Sequence, residues 1–523
     1  MEKQLIVIFD LISGFLIKFF SFIISKLGGL IFYLLILNIL DKHSADLFFE
    51  INALILLLAP ITSAGLIYSV IKSFPIYHLK KDYKKMLDSI YSSIILFILF
   101  SIILFFSLEL FLPQRLAPFF LYIFFGSFVV LLSVFFNNIL VSLKRFNESL
   151  FLDISLQISK IFLLLFFLFF LFKNTALALL SSLLGYIVQI LFAVFFVFRF
   201  LYKKVSFSLS AFFPRFDTIK DNITFGFAFF FNSLIEAILT QIDILIISYF
   251  LADQPGAIAG YALISLIVKN ISPVILSPLY QSQQIILIEE KEKKSAMVDK
   301  IVSNMTRWSF YLGLVVLGFF VIFGKYFLFV VANQYYYLAH LFFFFIPFVI
   351  FDLLSASTKM FLFAEGKSKL LLFISLFILV SNITFDFLLI PIYGLVGAAA
   401  GTSLSVFFGS LLIFYFSKKN LSLIFDKKII VGLVSFVLSC ILTILLLDFL
   451  YSLKLEKIIF AAFLVILAGF FVFFYFLLLF VFRGFIKQDF LVILNFLKEN
   501  STGGFRVLKP LEKLLEFLLK NYS

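Results

Sequence analysis

The feature that most constrains this chain is its fourteen apolar stretches, each long enough to match the ~20 residues with which an α-helix crosses ~30 Å of hydrocarbon. They cover residues 12–40, 47–71, 89–112, 116–141, 150–172, 175–199, 222–251, 257–280, 307–333, 338–364, 369–392, 396–416, 429–450 and 458–482. Tracts such as Phe166–Phe172 and Leu341–Phe348 suit neither a loop nor a half-exposed strand, and an outer-membrane barrel would need short alternating strands instead. A soluble fold is excluded as well. With 63% hydrophobic and 14% charged residues among 523, there are too few charges to cover the apolar surface. The expected fold class is therefore all-α, a polytopic membrane protein.

The formal charge of +13 would suggest an acidic partner or nucleic acid in a soluble protein. Here its placement gives another reading. With the N-terminus in the cytoplasm, the six inner loops and their edges carry twenty-three lysines and arginines, and the seven outer loops carry Lys42, Arg115, Lys173, Lys454 and Lys457. The surplus is thus a topology signal, which places the chain in the cytoplasmic (inner) membrane with both termini cytoplasmic and implies no nucleic-acid partner. The apolar start, from Leu5 to Leu40, is too long for a signal-peptide core and reads as a retained helix. The tail carries Leu508, Leu511, Leu515 and Leu518 at helical spacing, so it reads as an amphipathic helix on the inner membrane surface.

A faint repeat is present. Gly14–Ser21 resembles Gly226–Ser233, and Ala53-Leu-Ile55 resembles Ala262-Leu-Ile264, at offsets of about six spans. An even offset gives both halves one orientation, with a cavity at their interface. The expected organisation is a six-helix bundle over 1–200, a cytoplasmic linker over 201–221, a second six-helix bundle over 222–416, two added helices over 417–482 and the tail over 483–523.

Two motifs resemble those of a known family. Gln241-Ile-Asp-Ile-Leu-Ile-Ile-Ser-Tyr-Phe250, followed by Gly260-Tyr-Ala-Leu263 and a helix from Lys269 to Pro278, is similar to the start of the second half of polysaccharide transporters. Ile390-Pro-Ile-Tyr-Gly-Leu-Val-Gly-Ala-Ala-Ala-Gly401, after an eleventh span containing Asn382, is similar to a second motif of that family. These transporters belong to the multidrug/oligosaccharidyl-lipid/polysaccharide exporter superfamily. The resemblance implies a flippase that moves lipid-linked oligosaccharide, on an isoprenoid phosphate or diphosphate carrier, to the outer leaflet by alternating access. Expected partners are that lipid, the bilayer and the glycosyltransferases or polymerase of the same pathway. A multidrug exporter of the same superfamily is the alternative within the fold. A membrane-embedded glycan polymerase or ligase fits less well, because the outer loops are short.

Charged groups inside spans cost about 2.5–3.5 kcal/mol each at the bilayer centre and are functional candidates by default. Lys26, Glu236 and Lys269 fall near the midpoints of spans 1, 7 and 8, so the lysines are expected to contact a lipid-linked phosphate and Glu236 to hold them in its absence. Asn232 belongs to the same polar face of span 7 and joins them as a substrate-binding candidate. Asp243 on that face is a candidate for ion coupling, as is Asp386, which forms a polar strip with Asn382. Asp352 with Lys359 in span 10, and Lys160 with Gln157 and Asp153 in span 5, read as ion-pairing groups that gate the cavity. Gly397–Gly401 reads as a close-packing face, and Trp308 with Tyr335–Tyr337 as interfacial belt residues.

No cofactor is expected. Gly366-Lys367-Ser368 lacks the glycine five residues earlier that a phosphate loop needs, where Phe361 stands. His43, His78 and His340 are too dispersed for a zinc site.

Overall fold

A computed structural model describes residues 2–63, 65–202, 204, 216–273, 297–364, 367–417, 427–452 and 457–485. Among them every regular element is helical, as hydrocarbon requires of a backbone that must satisfy its own hydrogen bonds. The helices are α1 (Glu2–Ile39), α2 (Lys42–Ser63), α3 (Leu66–Leu79), α4 (Tyr83–Phe111), α5 (Phe120–Ser142), α6 (Phe146–Phe170), α7 (Thr175–Tyr202), α8 (Phe216–Phe250) and α9 (Ala257–Lys269). They continue as α10 (Met297–Val331), α11 (Leu341–Phe344), α12 (Ile346–Ala364), α13 (Ser368–Tyr393), α14 (Leu395–Phe416), α15 (Lys427–Ser452) and α16 (Lys457–Val481). Short 3-10 stretches, Gln114–Phe119 and Asn333–His340, precede α5 and α11.

Each of the fourteen predicted stretches carries helix. Among the described residues 12 helices are long and apolar enough to cross a membrane, and the pair Asn333–Phe344 and Ile346–Lys359, bent by 50°, makes a thirteenth when taken as one span. The remaining one, over Ala257–Pro273, is described over a shorter length. Two of the stretches are broken. Span 2 divides at Gly65, whose φ of +76° lies in the left-handed region through which a right-handed helix does not continue, while Pro60 and Pro75 sit inside the helices on either side. Span 10 bends beside Phe345. The predicted amphipathic tail lies outside the described residues beyond Phe485, as does most of the linker.

The chain forms two compact units. One comprises residues 1–293 and 325–416, the other 294–324 and 417–523. In the first, α6 packs along α7 and α13 along α14, while α2 lies against α5 and α8. In the second, the buried Tyr311 hydroxyl reaches the carbonyls of Lys428 and Gly484 at 2.8 and 3.0 Å, and Gly318 lets Phe471 and Phe436 close onto α10.

Tyr335 departs from the belt reading. It is fully buried, because Gly256 and Gly260 leave a slot that its ring fills, whereas Tyr336 and Tyr337 are exposed as expected.

Candidate functional site: a cavity and a buried charge cluster

Within the first unit, a cavity of 440 Å³ opens between α2, α3, α5 and α8. Its walls differ in chemistry. Leu56, Ile67, Ile71, Val130, Leu131 and Val134 make a mainly apolar face, interrupted by Ser63 and Asn138, whereas α8 contributes Ser233, Glu236, Thr240 and Gln241 beside Ala237. Glu236 is exposed into this space, as its helical spacing to Thr240 and Ser233 requires. Lys26 is exposed on α1 with its ammonium 5.2 Å from the Phe22 ring, and neither it nor Lys269 lines the cavity. The side chain of Asn232 lies outside the described residues.

Lys269 is bound elsewhere. Its ammonium donates to Asp243 Oδ2 at 2.8 Å and to the Leu239 carbonyl at 3.3 Å, so Glu236 is not its partner. The reason is the direction of helical side chains, which lean toward the N-terminus of their own helix. From the end of α9 that lean carries Lys269 back toward the α8–α9 turn and hence toward Asp243, two turns beyond Glu236.

Around this pair stands a cluster drawn from α8, α9, α13 and α14. Asp243 Oδ2 also accepts hydrogen bonds from Tyr261 and Thr402, both at 2.8 Å. Asp386 is completely buried, with its carboxyl close enough to interact with both Asp243 and Lys269. Asn382, one turn before it on α13, is 1% exposed. Among the described residues, Asp243 Oδ1, both Asp386 carboxyl oxygens and the Asn382 amide oxygen accept no hydrogen bond, and the Asn382 amide nitrogen donates none. Gly401 makes the room for this, since a Cβ there would stand 2.5 Å from Asp386 Oδ1. Two buried carboxyl groups thus stand near one lysine, Asp243 bonded to it and Asp386 beside them both.

The other candidates fall outside the cluster. Asp352 and Lys359 pair at 3.0 Å along α12 itself, so the described contact is within one helix. Lys160 is 8% exposed and makes no ion pair or hydrogen bond among the described residues; its ammonium sits 3.7 Å from the Tyr186 ring and 5.7 Å from that of Phe32.

A further set of contacts was not anticipated. Asp46 accepts from the amides of Gly256 and Ala259 at 2.6 and 2.7 Å, which caps the start of α9. Glu50, one turn on and 4% exposed, holds Arg115 at 2.5 Å and accepts from Ser248 of α8. Asn38 donates to the Val331 carbonyl at 2.6 Å, and Gln334 to that of Leu37. The available signal was Asp46 and Glu50, four apart at the edge of span 2, with Arg115 in a neighbouring loop.

The geometry is that of a polytopic helical membrane protein with an amphipathic cavity and a buried acid cluster, and solved structures define its fold. The lipid II flippase MurJ in an inward closed conformation aligns with a TM-score of 0.67 at 15% identity, over 90% of this chain and 98% of that one. An inward-facing multidrug resistance MATE family transporter of the MOP superfamily aligns with 0.64 at 16% identity, over 76% and 95%. An outward-facing one gives 0.55 at 15%, over 79% and 96%. No curated protein matches the chain. Residues 11–282 match the polysaccharide biosynthesis protein family, and the chain belongs to that family.

Proposed function

We propose that the protein is a flippase that moves lipid-linked oligosaccharide, on an isoprenoid phosphate or diphosphate, from the inner to the outer leaflet in cell-surface polysaccharide biosynthesis. The observation that carries this reading is the cavity's mainly apolar wall on α2, α3 and α5 opposite a mainly polar wall on α8. An amphiphile needs both, since its chain gains from leaving water and its polar head loses any hydrogen bond that the wall does not replace. Family membership and the flippase function in MurJ's description support it. The halves 1–200 and 222–416 alternate access around this space, with both termini cytoplasmic. Glycosyltransferases or a polymerase of the pathway act before or after it. Lys26, which has no ion-pair partner among the described residues, is the proposed phosphate contact, and the Asp352–Lys359 pair is a proposed gate.

Coupling is assigned to the Asp243–Asn382–Asp386–Thr402 cluster with Lys269. Two buried carboxylates against one ammonium leave one negative charge uncompensated, and a desolvated ion costs several kcal/mol. One proton shared between the carboxyl groups, or one monovalent cation, balances the cluster.

Among the described lining residues Glu236 is the one charged side chain, which favours a second reading, export of an amphiphilic cation. Proteoliposomes containing a labelled isoprenoid diphosphate oligosaccharide separate the two. Protein-dependent exposure of the label in the opposite leaflet supports the flippase. No such movement, with transport of a lipophilic cation instead, sinks it in favour of export.

A further inference from the structure

We infer that Lys160 is a tethered cation. It fills, between α1, α6 and α7, the place that between α8, α13 and α14 is left to an exchangeable positive charge; the inference rests on the coupling reading above.

The two hairpins α6–α7 and α13–α14 build the same site with opposite charge. In each, a charged side chain of the outgoing helix is seated against a glycine of the returning one. A Cβ on Gly185 would stand 2.5 Å from Lys160 Cγ, and a Cβ on Gly401 would stand 2.5 Å from Asp386 Oδ1. The residue after each glycine is the next neighbour: Tyr186 presents its ring to Lys160, and Thr402 its hydroxyl to Asp243. About one turn before each charged residue stands a buried amide with an unmet acceptor, Gln157 and Asn382. The third helix supplies Phe32 in one case and Asp243 in the other. Gly28 of α1 admits Gln157 in turn, since a Cβ there would lie 2.6 Å from its Cγ.

The chemistry follows from what faces the ammonium. Among the described residues no carboxylate is paired with Lys160, and its surroundings are the Tyr186 and Phe32 rings and Gly185, with Gln157 three residues before it on α6. The Tyr33 hydroxyl near Tyr186 is engaged by the Asn52 amide at 3.1 Å. Aromatic faces carry the negative side of a quadrupole and recognise ammonium groups that have left water. The first trio therefore holds a cation that cannot depart, and the second holds acids that must find one. Only the second loads and empties during a cycle.

The experiment uses the full-length protein in lipid nanodiscs and reads melting temperature. Lys160→Ala removes the atoms of a propylamine, so propylammonium chloride is the probe, with sodium chloride and n-propanol as controls. We expect Lys160→Ala to melt several degrees below wild type, at least half of the loss to return saturably with propylammonium, and neither control to restore it. Lys160→Met, which keeps the volume without the charge, is expected to remain destabilised. Wild-type melting of Lys160→Met, or equal rescue by propanol, overturns the inference, and the methionine variant decides alone where the alanine variant does not fold. Asp386→Asn in the same series tests the coupling reading separately. Its expected effect is loss of the sodium- and pH-dependence of wild-type melting. A wild type without that dependence overturns the exchangeable half, while the propylammonium result still decides whether Lys160 is a caged cation.

Discussion

Asp243 is the side chain on which most of the buried polar chemistry converges, with Lys269, Tyr261 and Thr402 all donating to one of its oxygens. Removing a single partner of a buried pair strands the other charge, which costs about 3–5 kcal/mol. Lys269→Met is therefore expected to lower the melting temperature sharply, and adding Asp243→Asn to it is expected to recover most of the loss in a thermal-denaturation double-mutant cycle. If the double variant is no better than the single, Lys269 does not act through Asp243. The charged members of this cluster were legible in the sequence because an acid or a lysine in an apolar run stands out. Tyr261 and Thr402 were not, since neutral side chains in a hydrophobic span announce no partner. Nor was the choice of Asp243 over Glu236, which depends on the lean of one long side chain.

The helices themselves follow from length and hydropathy, yet their contacts depend on particular small residues. At Gly397 an added Cβ would stand 2.3 Å from the Leu389 carbonyl oxygen, a backbone atom that cannot swing away. Gly397→Ala must therefore open the α13–α14 turn, at about 1–3 kcal/mol for an overpacked contact. A Cβ added at Gly469 in α16 would meet no other described atom within 4 Å beyond its own helix backbone, so Gly469→Ala is expected to be neutral or to stabilise by up to about 1 kcal/mol. Comparison of the two melting temperatures checks both expectations. The Glu50–Arg115–Ser248 contact joins α2, the segment before α5, and α8. Arg115→Gln is expected to increase labelling of Ser248→Cys by a membrane-impermeant thiol reagent severalfold; unchanged labelling would mean that the contact does not restrain these helices. The single native cysteine, Cys440, is buried and gives little background. Span number and the small-residue face at Gly397–Gly401 were readable from sequence. The break at Gly65 was signalled only weakly by its flanking prolines, because a helix interruption in a membrane depends on what re-satisfies the freed backbone.

The cavity gives the molecule its proposed selectivity, and the acidic side chain of Glu236 on its wall makes a sharp comparison possible. Glu236→Gln is expected to leave oligosaccharide-lipid movement within a few-fold of wild type in proteoliposomes, while any transport of a lipophilic cation falls by tenfold or more. The reverse pattern would favour cation export. The sequence by itself determined that this chain crosses a membrane as helices about fourteen times, since apolar length and backbone hydrogen bonding leave no other solution in hydrocarbon. It also singled out the buried charges, because desolvation makes each of them costly. Only the tertiary structure decided which of these charges meet. It seated Lys160 in aromatic rings, Lys269 on Asp243 and Glu236 in the cavity, because such pairings depend on distances of a few ångströms between helices far apart in sequence.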